Sequence, residues 1–324
     1  MTKAIRIHEF GGPEKMQWEE VEVGAPGAGQ ARVRHHASGL NFIDVYQRTG
    51  LYKLPLPLTL GMEGAGVVEA VGPGVTEVAV GDRVAYAAQP PGSYSEVRLS
   101  PADRLVKLPD GIAYDTAAAM MLKGMTVQYL VKRTFKVEKG MTVLLHAAAG
   151  GVGLIACQWL AALGVTVIGT VGSDAKAELA RRHGCHHPVV YTRENFVERV
   201  KEITGGKGVP VVYDSVGKDV WQGSMDCVAP LGMYVNFGNA SGPMPAIEPL
   251  LLAQKGSLFL TRPTLFTYTA KREDLVATAQ DLFDVVLAGK VGIAIDQRYA
   301  MADAAQAHRD LESRKTTGSS VLVP

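Results

Sequence analysis

Cysteine is scarce. The chain has three, Cys157, Cys185 and Cys227, in 324 residues, widely spaced and odd in number. Such a set cannot build a disulfide framework and points to a reducing compartment. An excess of charge is missing as well, since 33 Lys and Arg stand against 32 Asp and Glu for a formal net charge of +1. No global field is available to gather nucleic acid or an anionic membrane, so any such binding would have to be local. The opening residues, MTKAIRIHEF, alternate polar and apolar and lack the long apolar core of a signal peptide, so a cytoplasmic protein is expected. Between Lys139 and Asp174 there is no Asp, Glu, Lys or Arg. Gly150, Gly151, Gly153, Gly164 and Gly169 divide that stretch into a β-branched run, a helical run and a second β-branched run, which excludes a membrane helix.

Glycine is abundant, at 36 residues without a collagen-like period, so the backbone must turn sharply or approach something closely in many places. The length suggests two domains, and 47% hydrophobic with 20% charged residues is the composition of a soluble globular protein. Up to about Arg104 the pattern is short strands with turn signals such as Gly11-Gly12-Pro13 and Gly72-Pro73-Gly74. From there helices are expected over 114–122 and 124–133. Strand and helix then alternate: strands at 142–147, 165–171, 188–191, 209–214 and 233–238, helices at 151–163, 174–183 and 194–203. Such βα repetition specifies a parallel sheet covered on both faces. Two amphipathic helices, 273–288 and 302–313, and a strand at 320–323 close the chain.

The loop after the first of these strands runs Ala147-Ala148-Ala149-Gly150-Gly151-Val152-Gly153. It follows the dinucleotide fingerprint G-x-G-x-x-G with Ala148 in the first glycine position and Gly150 and Gly153 in the second and third. Gly150 lets backbone approach a pyrophosphate, Gly153 lets the helix pack closely, and the helix N-terminal amides meet the negative charge. Twenty residues after Gly153, where NAD enzymes carry an acid, stands Ser173. With Lys176 one turn on and Tyr191 after the third strand, the pattern suits a 2′-phosphate and favours NADPH over NADH. Asp174 stands against this if it faces the ribose, or favours the helix N-terminus that it begins.

Histidines offer less. The run His183-Gly184-Cys185-His186-His187 falls in a helix-to-strand connection where side chains diverge, and is expected to be a solvated turn. His35 and His36 alternate along a strand and cannot chelate together. His146 is expected as a core histidine and Cys157 on a buried helix face.

Taken together, Asn41-Phe42-Ile43-Asp44-Val45-Tyr46, Gly61-Met62-Glu63-Gly64-Ala65-Gly66, Lys123-Gly124-Met125-Thr126, the 147–153 loop, Val212-Tyr213-Asp214-Ser215-Val216-Gly217, Phe237-Gly238-Asn239 and Gly318-Ser319-Ser320 resemble the medium-chain dehydrogenase/reductase superfamily. Within it they resemble the zinc-free, zeta-crystallin-like quinone oxidoreductases. The resemblance implies an α/β protein: a GroES-like β-rich catalytic domain over 1–123 and 264–324, and a Rossmann doubly wound NADPH-binding domain over 124–263. It also implies reduction of quinones with NADPH between the domains. Asn41 and Tyr46, with Tyr52 as a weaker candidate, would act on the nicotinamide and the substrate oxygen. The cofactor would meet Phe42, Tyr46, Tyr129, Gly150, Gly151, Val152, Gly153, Gly172, Ser173, Lys176, Tyr191, Ser215, Phe237, Gly238, Asn239 and Arg314.

The zinc-dependent relatives place Cys where this chain has Asn41 and His where it has Met62, so no metal is expected. A quinone suits that loss, because charge from an arriving hydride spreads through a conjugated ring and a modest hydrogen bond suffices. Reduction of an activated alkene, a 2-alkenal or enone, is the alternative. Relatives that bind AU-rich RNA raise a third possibility, which the charge balance makes minor at most. Family members assemble as homodimers or tetramers, commonly by joining nucleotide-domain sheets, and 233–238 or 257–260 could serve as the edge.

Overall fold

The computed structural model describes residues 2–324. The β-branched first hundred residues form β1 (Thr2–Ile7), β2 (Gln17–Val21), β3 (Gln30–Leu40), β4 (Leu58–Thr59), β5 (Glu63–Val71), β6 (Arg83–Ala87), β7 (Val97–Pro101) and β8 (Val106–Lys107). Helix α1 (Phe42–Arg48) follows β3, and α2 (Tyr114–Tyr129) follows β8. The alternating array then gives β9 (Thr142–Leu145), α3 (Gly151–Ala162), β10 (Thr166–Val171), α4 (Asp174–Arg182), β11 (His187–Val190), β12 (Val209–Asp214), β13 (Val228–Asn236) and β14 (Phe259–Thr261). Two last strands are β15 (Ile295–Ala300) and β16 (Ser319–Val323).

Contacts divide the chain into two compact units. The first comprises the chain up to Met125, Tyr268–Leu287 and Ile293–Pro324; the second comprises Thr126–Thr267 and Ala288–Gly292. In the first, strands run in the order β15-β16-β3-β5-β6-β8 with β7 also paired to β3, and β2-β1-β4 form a smaller sheet. In the second, the described strands form a parallel sheet in the order β11-β10-β9-β12-β13-β14, the doubly wound arrangement that puts a crevice at the carboxyl ends of β9 and β12. Leu144, Ile168, Val212 and Tyr234 from four of these strands pack with Met225 and Cys227 into one core. The short segment Ala288–Gly292 joins the second unit because Gln158 on α3 accepts from the Gly292 N–H at 2.8 Å and donates to its carbonyl at 2.9 Å. Nothing in the local pattern announces that link.

Two elements differ from expectation. Helices expected at 114–122 and 124–133 are one helix through Tyr129 that ends in a π turn over Leu130–Thr134. Gly124 does not break it; a Cβ there would stand 2.4 Å from Leu282, so the glycine serves packing against the helix Arg272–Leu287. Strand β13 starts at Val228 rather than 233, with a register shift opposite Val209/Val211 and Leu231 in the left-handed region at φ 62°.

A buried polar chain anchors α1 to the helix Ala304–Glu312. The Arg48 guanidinium, with 1% of its side chain exposed, donates both arms to Glu312 at 2.9 and 2.8 Å and a further N–H to His308 Nδ1 at 3.0 Å. His308 Nδ1 must therefore accept, which puts the proton on Nε2, from where it is donated to the Tyr94 hydroxyl at 3.3 Å. Tyr94 in turn donates to Asp44 Oδ2 at 2.9 Å. On the neighbouring sheet, His35 donates from Nδ1 to the Ser95 carbonyl and accepts the Tyr86 hydroxyl, both at 2.6 Å.

Burial holds both imidazoles neutral, down to about 3 for His35 and for His308 against 6.5 ordinarily. Between those values the unfolded chain takes up two protons that the folded one does not, so stability falls with pH by about 1.4 kcal/mol per unit for each histidine. Asp44, which burial pushes up to about 7, works in the opposite sense over its own window and offsets one of the two. The urea midpoint should accordingly drop as pH is lowered from 7 to 5. His308→Gln should be less stable at pH 7 yet show a flatter decline, and an unchanged slope would contradict the assignment.

Candidate active site

The first unit builds its site at the start of α1. Asn41 is the N-cap, and its backbone N–H donates to Asp44 Oδ2 at 2.9 Å while Asp44 Oδ1 accepts from the Met62 N–H at 3.1 Å. One carboxylate thus fixes the start of the helix and the end of the β4–β5 connection. Burial is what raises Asp44, and the Tyr94 hydroxyl and Asn41 amide act against it.

Asn41 is also held by its side chain. Its Nδ2 donates to Glu63 Oε2 at 2.8 Å, where Lys123 Nζ lies at 3.3 Å, and the Leu122 N–H donates to Glu63 Oε1 at 2.8 Å. Glu63 is wholly buried and Lys123 nearly so. A carboxylate paired with an ammonium offers only acceptors, so the Asn41 nitrogen must face it and Oδ1, which also takes the helix side of the reciprocal cap with Asp44, is the end that accepts. Next to this cluster, Gln47 Nε2 donates to Met62 Sδ at 3.1 Å.

Tyr46, one turn after Asn41 on α1, is buried between aromatics. Its ring centroid is 6.3 Å from that of Phe42 and 5.3 Å from that of Tyr52, the latter edge-on, and the Tyr52 N–H donates to the Tyr46 carbonyl at 3.0 Å. Phe42, Tyr46 and Tyr52 are therefore brought together. Arg314 lies in the same unit, exposed and left-handed at φ 59°, in the turn after Ala304–Glu312.

The second unit places the glycine loop between β9 and α3. Gly150 is the N-cap and supplies no side-chain cap, so the amides of Gly151, Val152 and Gly153 face outward from a twelve-residue helix. Ala147 takes the left-handed conformation at φ 54°, and a Cβ on Gly153 would stand 2.3 Å from its carbonyl oxygen. The alanine in the first fingerprint position, Ala148, is accommodated from across the sheet: a Cβ on Gly169 of β10 would meet the Ala148 methyl at 2.6 Å. Bare amides and glycine backbone form a cradle that fits a pyrophosphate. His146 stands one residue past β9 rather than inside it, bonded to Thr170 Oγ1 at 2.9 Å and Ser224 Oγ at 2.8 Å, and serves as a buried link between elements.

At the ends of β10 and β11, Gly172, Ser173, Lys176 and Tyr191 adjoin. Ser173 caps α4 by accepting from the Lys176 N–H at 3.3 Å. The Tyr191 hydroxyl lies 2.9 Å from where a Cβ on Gly172 would be. At the ends of β12 and β13 the organising residue is Asp214, which accepts from the N–H groups of Val216 at 2.7 Å and Gly217 at 3.1 Å, from Asn236 Nδ2 at 3.1 Å and from the Tyr234 hydroxyl. It holds together the turns that carry Ser215, Phe237, Gly238 and Asn239; a Cβ on Gly238 would sit 2.5 Å from the Ser215 carbonyl oxygen. Tyr129 is buried in the same unit at the end of α2.

Sequence reasoning overlooked three residues that organise these sites. Asp44 was signalled by its place three residues after an Asn at a helix start, the spacing of a reciprocal cap. Asp214, closing an apolar strand before Ser-Val-Gly, carried a weaker signal. The role of Lys123 depends on Glu63, far away in sequence, and carried none.

Residues 27–110 match the model of the alcohol dehydrogenase GroES-like domain, and residues 151–284 match that of the zinc-binding dehydrogenases. The chain is 54% identical over 325 residues to a quinone oxidoreductase of Pseudomonas aeruginosa, with 100% of both proteins covered. It is 48% identical over 334 residues to a 2-haloacrylate reductase of a Burkholderia species, covering 100% of this chain and 99% of that one. A crystal structure of Escherichia coli quinone oxidoreductase complexed with NADPH is similar at a TM-score of 0.98 and 47% identity, over 99% of this chain and 100% of that one.

Glu63→Gln removes the counter-charge from a buried ammonium, and the variant should lose about 3 kcal/mol in urea denaturation. Adding Lys123→Met should restore at least half of that loss. A single variant as stable as the wild type would show that the pair is not ionised.

Proposed function

The chain belongs to the quinone oxidoreductases of the medium-chain dehydrogenase/reductase superfamily, and we propose that it reduces quinones with NADPH as follows. Bound in the second unit, NADPH supplies the hydride or electron equivalents. The amides of Gly151, Val152 and Gly153 hold its pyrophosphate and Gly172, Ser173, Lys176 and Tyr191 its adenosine end. Ser215, Phe237, Gly238 and Asn239 border the path to the nicotinamide, with Tyr129, Phe42 and Arg314 as further contacts.

The observation that carries the reading is the Asn41–Glu63–Lys123 cluster, which gathers β5 and α2 at the N-cap of the helix that bears Tyr46. In that arrangement a hydrogen-bonding pair stands where relatives use a Lewis acid. Tyr46 donates to the quinone oxygen on which charge develops, assisted by Tyr52. Asn41, its nitrogen committed to Glu63, acts as an acceptor. It orients an N–H of the nicotinamide carboxamide or the O–H of the product. Reduction to the hydroquinone consumes one proton from solution for each hydride. Zinc does not fit: the candidate donors are an amide, a thioether already accepting from Gln47, and a carboxylate paired with Lys123. Activated alkenes are a second substrate class, favoured by the likeness to a 2-haloacrylate reductase.

We place the protein in the cytoplasm as a homodimer, with β14 as the pairing edge of the parallel sheet. Phe259 on that strand is 59% exposed and Leu231 within β13 is 71% exposed, an apolar rim of the kind that a second sheet covers.

Tyr46→Phe should lower kcat with 1,4-benzoquinone or 1,2-naphthoquinone about tenfold, below the loss for a localised oxyanion, and leave the NADPH Kd unchanged. Equal turnover would remove its role. In the same assay NADPH should outperform NADH and the purified protein should contain no stoichiometric zinc; a larger kcat/KM for a 2-alkenal than for any quinone would shift the assignment to alkenes. Phe259→Lys should move the protein toward monomer in sedimentation velocity.

A further inference from the structure

Three contacts strap the end of β10 to the end of β11. The Tyr191 N–H donates to the Val171 carbonyl at 3.1 Å, Thr192 Oγ1 donates to the Gly172 carbonyl at 3.4 Å, and Arg193 Nη1 donates to Asp174 Oδ2 at 2.6 Å. Gly172, Ser173 and Asp174 therefore lie alongside Tyr191, Thr192 and Arg193 as two adjoining segments. Asp174 is the residue that spoke against NADPH, since a carboxylate at this place accepts from ribose hydroxyls and repels a 2′-phosphate. The ion pair turns that carboxylate toward Arg193 and cancels its charge.

The charges at this rim decide the sign of the field that a phosphate meets. Lys176 and Arg193 contribute two positive charges and Asp174 one negative charge, while Glu194, 4.0 Å from Arg193, is balanced by Arg199 at 3.3 Å. With Arg193 the sum is +1, and without it the sum is zero with the carboxylate released. Both partners are exposed, 57% for Arg193 and 73% for Asp174, so the pair adds little to folding. Its cost in side-chain order is easier to understand as a binding device. Tyr191 and Arg193 lie in one turn, which the Arg193 N–H closes on the Val190 carbonyl at 3.1 Å, and both reach the Gly172–Asp174 segment, the tyrosine hydroxyl at Gly172 and the guanidinium at Asp174.

We propose that Arg193 is a specificity-determining residue for the dinucleotide: it neutralises Asp174 and contributes positive charge to the 2′-phosphate subsite formed by Ser173, Lys176 and Tyr191. The assignment rests on the NADPH reading above. It predicts selectivity by charge cancellation, with the acid that would select NAD present but occupied.

The test is a pair of binding titrations, NADPH and NADH, followed by fluorescence at low ionic strength, with no turnover required. Arg193→Ala should weaken NADPH three- to tenfold and leave NADH unchanged or tighter, and the effect should shrink in 0.5 M salt. Asp174→Ala in the Arg193→Ala background should return at least half of the NADPH affinity, because the repelling charge has gone. Arg193→Lys should retain most of the preference. A wild-type protein that binds both dinucleotides equally would overturn the NADPH reading and the proposal with it. A wild type that prefers NADPH, with an Arg193→Ala variant that keeps the same preference or loses both affinities equally, would overturn the role of Arg193 alone.

Discussion

Asp44 has no exposure to solvent and receives three hydrogen bonds, from the Asn41 amide, the Met62 amide and the Tyr94 hydroxyl. Removing a carboxylate from water is expensive, and only such a set of donors makes it tolerable. The consequence is rigidity where it is needed. Asn41 and the start of α1 cannot shift without breaking the cap, and the far end of the helix is tied through Arg48 to Glu312 and His308. A seven-residue helix would be marginal alone; here both ends are nailed to a buried polar chain, so Tyr46 is presented from a fixed frame.

The same logic recurs with charge. A net charge of +1 conceals pairs placed at points of consequence. Glu63 and Lys123 lie inside, Arg48 and Glu312 half inside, Asp174 and Arg193 outside. The inner pair sets which end of the Asn41 amide is offered, the middle one closes α1, and the outer one ties the start of α4 to the turn after β11. Burial sets their stability cost and location sets their chemical effect.

Glycine works differently in the second unit, by letting backbone carbonyls come close. Gly153 against Ala147 and Gly238 against Ser215 are contacts that a single methyl would prevent. Ala148 shows that the fingerprint is a volume rule rather than a letter rule. The missing first glycine is compensated by Gly169 on the next strand, where room for the methyl is found.

Much was legible along the chain: the βα array, the loop 147–153 and the alternation of His35 and His36 depend on neighbours within a few residues, and local periodicity carries them. Less visible were the joining of 114–133 into one helix, the early start of β13 and the attachment of Ala288–Gly292, each decided by a distant partner: Leu282, Val209 on β12, which pairs with Val228, and Gln158. The candidate site divided in the same way. Residue types at Asn41, Met62 and Tyr46 sufficed to indicate a cluster without zinc-type ligands and a phenol able to donate. Which amide end Asn41 offers, that Asp44 is the organising carboxylate, and that Asp174 is engaged by Arg193 are settled by residues 3 to 82 positions away. A hydrogen bond or ion pair depends on distance in space, and folding alone sets that distance.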